Sequence, residues 1–297
     1  MSKSNDNGRA LEAILVDAIV QNNPSIQLIG STKSDQIRDL VHFHALPSGQ
    51  QKDFSDFSIR YLQELSVENI ESIERLKDTA AKKGDVTDIR IVYKNKSVQN
   101  ISLKHNHDAC KHQRPAALIK NQLGISDKEL DEQYRRELTE IYTKFISQIL
   151  PEDKDLAGNY LFRLVKERDA SLIKDLYLDV CNLVKKYLLE YTDAESVKRY
   201  FKFLVGNITF EKVAVYPKIR TIIIKDFTSV ADATSVIDAY IHPNSGHLII
   251  KFDNNFILDM RLHTASSKFS PGKALSLKFD SVVDMENAPV PQRSIVF

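Results

Sequence analysis

Cysteine is scarce in this sequence, and it contains no long apolar run. Two cysteines among 297 residues, Cys110 and Cys181, cannot build a disulfide framework, which fits a protein of a reducing cytoplasm. No apolar run is long enough to cross a bilayer, and the polar start MSKSNDNGRA lacks the apolar core of a secretory signal. We therefore expect a cytoplasmic protein with no membrane partner.

A dominant charge is also missing from the chain. The 41 basic and 40 acidic residues leave a net charge of +1, so no overall field attracts the protein to nucleic acid. Any affinity for DNA must therefore come from local patches. The length allows one large domain or two, and no internal repeat stands out.

The first periodic stretch, residues 5–21, predicts an amphipathic helix. Glu12 lies at the edge of its apolar stripe, and the plain interpretation of this residue is a solvated glutamate on a helix face. The apolar residues at helical spacing are Leu11, Ile14, Leu15, Ala18 and Ile19.

A second helix is predicted from Ser66 to Gly84. Residues 66–69 are close to a capping box, and Ile70, Ile73 and Leu76 follow at helical spacing. A basic last turn precedes the glycine, as is typical of a helix end.

Residues 84–114 predict a β-hairpin followed by a basic loop. The two strands are residues 89–93 and 98–103, with a polar turn between them. Asp88 opens the first strand and Lys104 ends the second, so strand pairing would bring them together. Such a pair can hold a metal ion and a water against a phosphate. A surface ion pair is the plain alternative.

The loop after Lys104 is dense in histidine and basic residues. Lysine, arginine and polar side chains make most contacts to the DNA backbone, so a phosphate-contacting loop fits this composition. A solvated basic loop is the alternative, and a zinc site lacks a second well-spaced ligand pair. The residues concerned are His105, Asn106, His107, Lys111, His112 and Arg114.

Changes in the residue pattern divide the chain into three contiguous parts. Residues 1–125 are mixed and hold the hairpin. Residues 126–206 are helical, starting at a capping box at 126–129. Residues 207–297 form short β-branched runs separated by turn residues and predict a β-rich part.

Five segments, in order along most of the chain, resemble blocks of HaeIII-type Type II restriction endonucleases of the PD-(D/E)xK nuclease superfamily. The resemblance implies an α/β (α+β) fold with a mixed sheet flanked by helices. It assigns the nuclease core to residues 1–125 and DNA recognition to 207–297. The segments are 4–10 with Glu12, 84–89, 102–107 with Ala109, Lys111, His112 and Arg114, 261–267, and 276–280.

The resemblance also implies a reaction, namely magnesium-dependent hydrolysis of both strands of duplex DNA at a short site, GGCC in known members, leaving 5′-phosphates. Asp88 matches the superfamily's aspartate, Lys104 its lysine, and the Leu103 carbonyl a usual metal ligand. The second acid is missing, because Ser102 occupies its position.

Three carboxylates near the motifs can replace the missing acid: Glu12, Asp85 and Asp108. We favour Glu12, because an unpaired charge at the margin of an apolar helix face is costly unless it finds a cation. Other nucleases of the superfamily use a first-helix glutamate. Asp85 remains a candidate metal ligand as well, although it can simply shape the turn before Asp88.

For DNA contacts, the resemblance adds Arg261, His263, Ser266 and Ser267 to the basic loop. A structural ion pair of Arg261 with an aspartate, either Asp259 or Asp280, is the alternative. The expected partners are double-stranded DNA and, as a genetic partner, a cognate DNA methyltransferase, and a homodimer stays open. Rival functions are a repair or junction nuclease, a catalytically silent DNA-binding module and a helical scaffold.

Overall fold

The computed structural model describes residues 3–77, 85–106, 110, 112–284 and 290–297, with only the backbone for residues 3–5. The described α-helices are α1 (Lys3–Asn22), α2 (Thr32–His44), α3 (Ser48–Leu62), α4 (Ile119–Gln122), α5 (Lys128–Ile146), α6 (Phe162–Arg168), α7 (Ala170–Glu190) and α8 (Ala194–Val205). The described strands are β1 (Gln27–Leu28), β2 (Ile70–Arg75), β3 (Ile89–Tyr93), β4 (Val98–His105), β5 (Tyr160–Leu161), β6 (Glu211–Tyr216), β7 (Thr221–Asp226), β8 (Val236–Ile241), β9 (Leu248–Phe252), β10 (Ile257–Thr264), β11 (Lys268–Phe269), β12 (Leu277–Val283) and β13 (Gln292–Val296). Within these ranges, no helix is long and apolar enough to cross a membrane.

The chain forms two compact units, each built from separate stretches of sequence. The first contains Met1–Asp108, Asn207–Val230 and Val290–Phe297, and the second Ala109–Gly206 and Ala231–Pro289. This division differs from the three contiguous parts expected from the sequence. The reason is strand pairing, because β6, β7 and β13 join the sheet of the first unit.

A seven-stranded mixed sheet organises the first unit, in the order β1-β2-β3-β4-β6-β7-β13. The pairs β1–β2 and β4–β6 are parallel, and the other neighbours are antiparallel. Helix α1 packs against β4, α2 and α3. Its buried residues Leu11, Leu15 and Ile19 share a core with Phe54 and Phe57 of α3. The α/β class with a mixed sheet and packed helices is therefore confirmed.

The helix predicted from Ser66 is wrong. The chain makes a single 3-10 turn, Val67–Asn69, and then enters β2. A β-bulge between Ile70 and Ser72 shifts the register of β2 against β3. Because a bulge inserts one residue, Ile70 and Ile73 are both buried although they are three positions apart. This spacing imitates a helix in the sequence.

The second unit combines helices with a four-stranded antiparallel sheet, in the order β12-β10-β9-β8. The helices predicted within 126–206 are observed as α5 to α8. Asp127, rather than Ser126, caps α5 by accepting the Leu130 amide. Phe201 of α8 packs edge-on against Phe252, the last residue of β9, and against Phe256, which directly precedes β10.

Candidate active site

The β3–β4 hairpin brings Asp88 and Lys104 together, as the sequence predicted. Ile89 lies opposite Ile101, and the Asp88 amide donates to the Ile101 carbonyl. The Lys104 Nζ atom then lies 3.1 Å from Asp88 Oδ2, and both side chains are partly exposed. A carboxylate and an ammonium therefore share one end of the hairpin, where solvent or a substrate can reach them.

The backbone of β4 fixes the Asp88 carboxylate. The Leu103 amide donates to Asp88 Oδ2 at 2.6 Å, and the buried Ser102 hydroxyl lies 3.4 Å from the same oxygen. In an extended strand, the carbonyl of a residue points to the same side as its amide. The Leu103 carbonyl is thus directed to the side of Asp88. Ser102 therefore supplies a neutral hydrogen bond and no carboxylate at this position.

Glu12 reaches the same region from α1. Its Oε2 atom accepts a hydrogen bond from Arg75 at 3.0 Å, and its side chain is 19% exposed. The pKa of Glu12 is raised to about 7, first by burial and second by the nearby negative charge of Asp88, against the lowering effects of Arg75 and Lys104. Glu12 therefore lies within electrostatic range of both predicted catalytic residues and is not a solvated face residue.

A buried arginine that the sequence did not indicate supports Glu12. The Arg75 side chain is 4% exposed and also lies 2.8 Å from Asp39, whose side chain is 1% exposed. The Arg38 guanidinium donates one hydrogen bond to each carboxylate oxygen of Asp39, at 2.6 and 2.8 Å. Gln36 accepts from Arg75 at 3.4 Å and donates to the Ala13 carbonyl, next to Glu12. Together these contacts tie α1 and α2 to the end of β2.

Asp85 is occupied by other partners. One oxygen accepts the Thr87 amide at 3.0 Å, and the other lies 2.8 Å from the Arg90 guanidinium. These contacts shape the turn before Asp88. Asp108 lies outside the described residues. Of the three candidate carboxylates, the geometry favours Glu12.

The donor set suits a hard divalent cation. In the part of the chain that the structure describes, no three His, Cys, Asp or Glu side chains are grouped to hold a metal. Magnesium, however, is bound by one or two carboxylates and keeps several waters. Asp88 and Glu12, with the Leu103 carbonyl, provide that number of oxygens. The pKa of Glu12 is raised first by burial and second by the charge of Asp88, and a bound cation would favour the ionised carboxylate against both effects.

The predicted basic loop is divided between the two units. His105 and Asn106 lie in the first unit, where the His105 ring packs edge-on against Phe54 with centroids 5.0 Å apart. The His105 ring is partly buried, and this burial lowers its pKa. Asn106 is exposed, with a left-handed φ of 59°. His107 and Lys111 lie outside the described residues.

The remaining predicted DNA contacts lie in the second unit. His112 and Arg114 are exposed. Arg261 pairs with Asp280 at 3.2 Å, which decides between the two aspartates considered for it. The Ser266 hydroxyl accepts the Lys268 amide and donates to its carbonyl, so it is engaged in a local turn. Ser267 is exposed.

Comparison with known proteins identifies one relative over nearly the full length. No family model matches the chain. The chain is 24% identical to the Type II restriction enzyme HaeIII of Haemophilus aegyptius, over 94% of this chain and 93% of that protein. The chain is similar to the HaeIII-type Type II restriction endonucleases. The resemblance predicted from the five segments is confirmed by this match.

A solved structure was also found, that of restriction endonuclease MspI in complex with its cognate DNA. It covers 82% of each chain at 16% identity, with a TM-score of 0.23.

Proposed function

We propose that this HaeIII-like chain is a Type II restriction endonuclease, a phosphodiester hydrolase that cuts both strands of duplex DNA at one short site. The observation that carries the proposal is the pair of Asp88 and Lys104, 3.1 Å apart at one end of the hairpin, with Glu12 in electrostatic range. HaeIII, to which the chain is similar over 94% of its length, is a Type II restriction enzyme. Geometry and likeness support the same reaction class.

The side chains of this site have distinct tasks. Asp88 and Glu12, with the Leu103 carbonyl, would hold a magnesium ion, which when bound supplies a water of lowered pKa and stabilises charge at the phosphate. Lys104 orients the attacking water and offsets the negative charge that builds on the phosphate oxygens. The Leu103 amide and the Ser102 hydroxyl keep the Asp88 carboxylate in place.

We propose GGCC as the recognition site, following the resemblance. Guanine O6 and N7 call for bidentate arginine or lysine donors, each worth roughly 1–3 kcal/mol of discrimination. Exposed Arg114 and Arg261 are the candidates for this contact. The full proposed DNA-contacting set is His105, Asn106, His107, Lys111, His112, Arg114, Arg261, His263, Ser266 and Ser267.

The proposed function also implies a genetic partner and a cellular location for the enzyme. A nuclease with a short site would cut its own genome, so we expect a cognate DNA methyltransferase as genetic partner and a cytoplasmic location for both proteins. Cleavage of both strands fits a monomer and a homodimer. The mass of the protein bound to a short duplex in solution separates these two states.

Digestion of unmethylated phage DNA in magnesium, followed by sequencing of the fragment ends, tests this function. We expect all ends to fall within one short sequence and to carry 5′-phosphates. DNA methylated at that sequence should resist digestion. Fragment ends without a common sequence, or cleavage only of branched or damaged DNA, would favour a repair or junction nuclease instead. Binding without cleavage would favour a silent DNA-binding module.

A further inference from the structure

One carboxylate of the second unit is surrounded by four basic side chains. Asp280 Oδ2 lies 2.7 Å from His263 Nε2 and 3.2 Å from the Arg261 guanidinium. The other oxygen lies 2.8 Å from His112 Nδ1 and 3.4 Å from Lys278 Nζ. We call these five residues the Asp280 cluster.

The strand register of β10 and β12 builds this cluster. Arg261 lies directly opposite Asp280, and His263 directly opposite Lys278. Because side chains alternate along a strand, these four share one face of the sheet. The opposite face is buried and carries Met260, Leu262, Leu277 and Phe279.

Arg261 and Lys278 already outnumber the single carboxylate of Asp280, and the two histidines add positive charge only when they are protonated. Burial would raise the pKa of Asp280, but the charges of His263 and Lys278, with Arg261 and His112, hold it below its ordinary value. A single partner would neutralise a carboxylate, and exposed ion pairs add only about 0–1 kcal/mol each. The cluster thus keeps an excess of positive charge and of N–H donors at the surface.

Arg261 is the more exposed partner of Asp280 in this cluster. The Arg261 side chain is 59% exposed, whereas Asp280 is 22% exposed and sits beneath it. One terminal nitrogen of Arg261 is held by Asp280 Oδ2. The guanidinium carries five N–H donors in a rigid planar fork, so the others remain available to an acceptor beyond the protein.

We propose that Asp280 is a specificity-determining positioning residue, which holds Arg261 in the orientation that meets the acceptor atoms of a DNA base edge. This inference rests on the proposed function. Fixing the long arginine side chain in advance removes part of the entropy cost of binding. The negative charge of Asp280 also opposes phosphates, so it weakens binding to DNA that offers no matching base edge.

The test is Asp280→Asn, which keeps the shape of the side chain and removes its charge. Binding is measured by fluorescence anisotropy in calcium, with a duplex carrying the mapped cleavage site and a scrambled duplex of equal composition. We expect tighter binding to the scrambled duplex. We also expect the ratio of the two affinities to fall by roughly tenfold or more, the range of one base-edge contact. If both affinities change by the same factor, or neither changes, Asp280 has no role in specificity.

Asp259→Asn is the matched control. Asp259 lies on the same strand, two positions from Arg261, but its carboxylate contacts His247 at 2.6 Å. The same charge is removed, so the scrambled duplex should again bind more tightly, but the affinity ratio should be retained. A loss of specificity as large as that of Asp280→Asn would reduce the effect to net charge and overturn the inference.

A double-mutant cycle shows whether Asp280 acts through Arg261. In an Arg261→Ala background, Asp280→Asn should leave the affinity ratio unchanged, and an undiminished further loss would contradict positioning of Arg261. Melting temperatures of all variants report on folding. If wild type itself shows no preference between the duplexes, the proposed function falls and the inference with it. If wild type shows a preference that Asp280→Asn retains, only the inference falls.

Discussion

At the residue scale, the site depends on how three side chains share charge. Asp88 is fixed by the Leu103 amide and faces Lys104, while Glu12 is held by Arg75. Each carboxylate thus has a cationic partner that keeps it in place, and the two repel each other, as the raised pKa of buried Glu12 indicates. A divalent cation bound by both carboxylates would offset that repulsion.

Asp88→Ala is expected to abolish metal-dependent cleavage and to retain DNA binding, because it removes a metal ligand and no phosphate contact. Lys104→Ala should behave likewise, since the water and the phosphate lose a cation. Cleavage rates in magnesium and duplex binding in calcium measure the two properties. Full cleavage activity in either variant would show that the active site lies elsewhere.

Glu12→Gln keeps the shape of the side chain and removes its charge. We expect cleavage to fall at least about 100-fold, beyond the 10–100-fold typical of residues that only support a metal ligand. Direct titration with Mn²⁺ should show weaker binding than in wild type. A structure with Mn²⁺ bound and the Glu12 carboxylate more than about 6 Å from the ion, against direct distances of roughly 2.1 Å, would remove Glu12 from the site.

The stability of metal-free Glu12→Gln provides a second measure of the same residue. The folded-state pKa of Glu12, raised to about 7 by burial and by Asp88, exceeds the ordinary 4.5, so ionised Glu12 destabilises the fold as pH rises through that interval. At pH 8 with chelator present, Glu12→Gln should therefore unfold at higher denaturant than wild type. The difference should shrink toward pH 4.5. A difference that does not vary with pH would contradict the burial of an ionised Glu12.

At the element scale, the central strands carry buried charge as well as apolar residues. Lys212 of β6 lies opposite Lys225 of β7, and both are buried. Burial lowers the pKa of Lys225 to about 8. The unfolded chain keeps this proton up to about pH 10.5, so it binds more protons than the folded chain between these values. The contribution of Lys225 to stability therefore rises with pH.

Lys225→Met tests this pH dependence. We expect the free energy of unfolding of wild type, relative to the variant, to rise between pH 8 and 10.5, by roughly 3 kcal/mol at most. Denaturant titrations at several pH values measure it. Lys218→Met, which removes the same charge from an exposed position, is the control. An equally steep rise with the control would assign the effect to net charge.

At the scale of the whole molecule, the first unit depends on segments far apart in sequence. Strand β13 pairs with β7 at the edge of the sheet. The Arg220 side chain donates to the Phe297 carbonyl at 2.6 Å, and the Phe297 ring packs near Phe57. The last described residues of the chain thus complete the sheet that holds Asp88 and Lys104.

A chain that ends at residue 289 is expected to lose stability in the first unit. It lacks the β13 hydrogen bonds and the buried Ile295 side chain. Ile295→Ala alone should cost about 2 kcal/mol, and the truncation should cost more, with a fall of about 2–4 °C in melting temperature per kcal/mol. Calorimetry measures both. An unchanged melting temperature for the truncated chain would show that β13 does not stabilise the sheet.

The local features of this protein follow from its sequence alone. Period-3.6 and β-branched patterns gave α1, the β3–β4 hairpin and the helices after residue 126, because each depends on neighbours along the chain. The hairpin also placed Asp88 near Lys104. The helix predicted from Ser66 was wrong because the bulge in β2 places buried Ile70 and Ile73 three positions apart. That spacing is also the spacing of buried residues in a helix.

The contacts between distant segments, by contrast, are set by tertiary packing. The parallel pairing of β4 with β6 joins residues more than 100 positions apart, and the contact of Glu12 with Arg75 spans 63 positions. The register of β10 and β12 likewise sets Asp280 among its basic neighbours. Such contacts depend on the packing of whole elements, which no local pattern encodes. Arg75 and Asp39 therefore could not be found from the sequence, and the choice of Asp280 over Asp259 as the partner of Arg261 required the strand register.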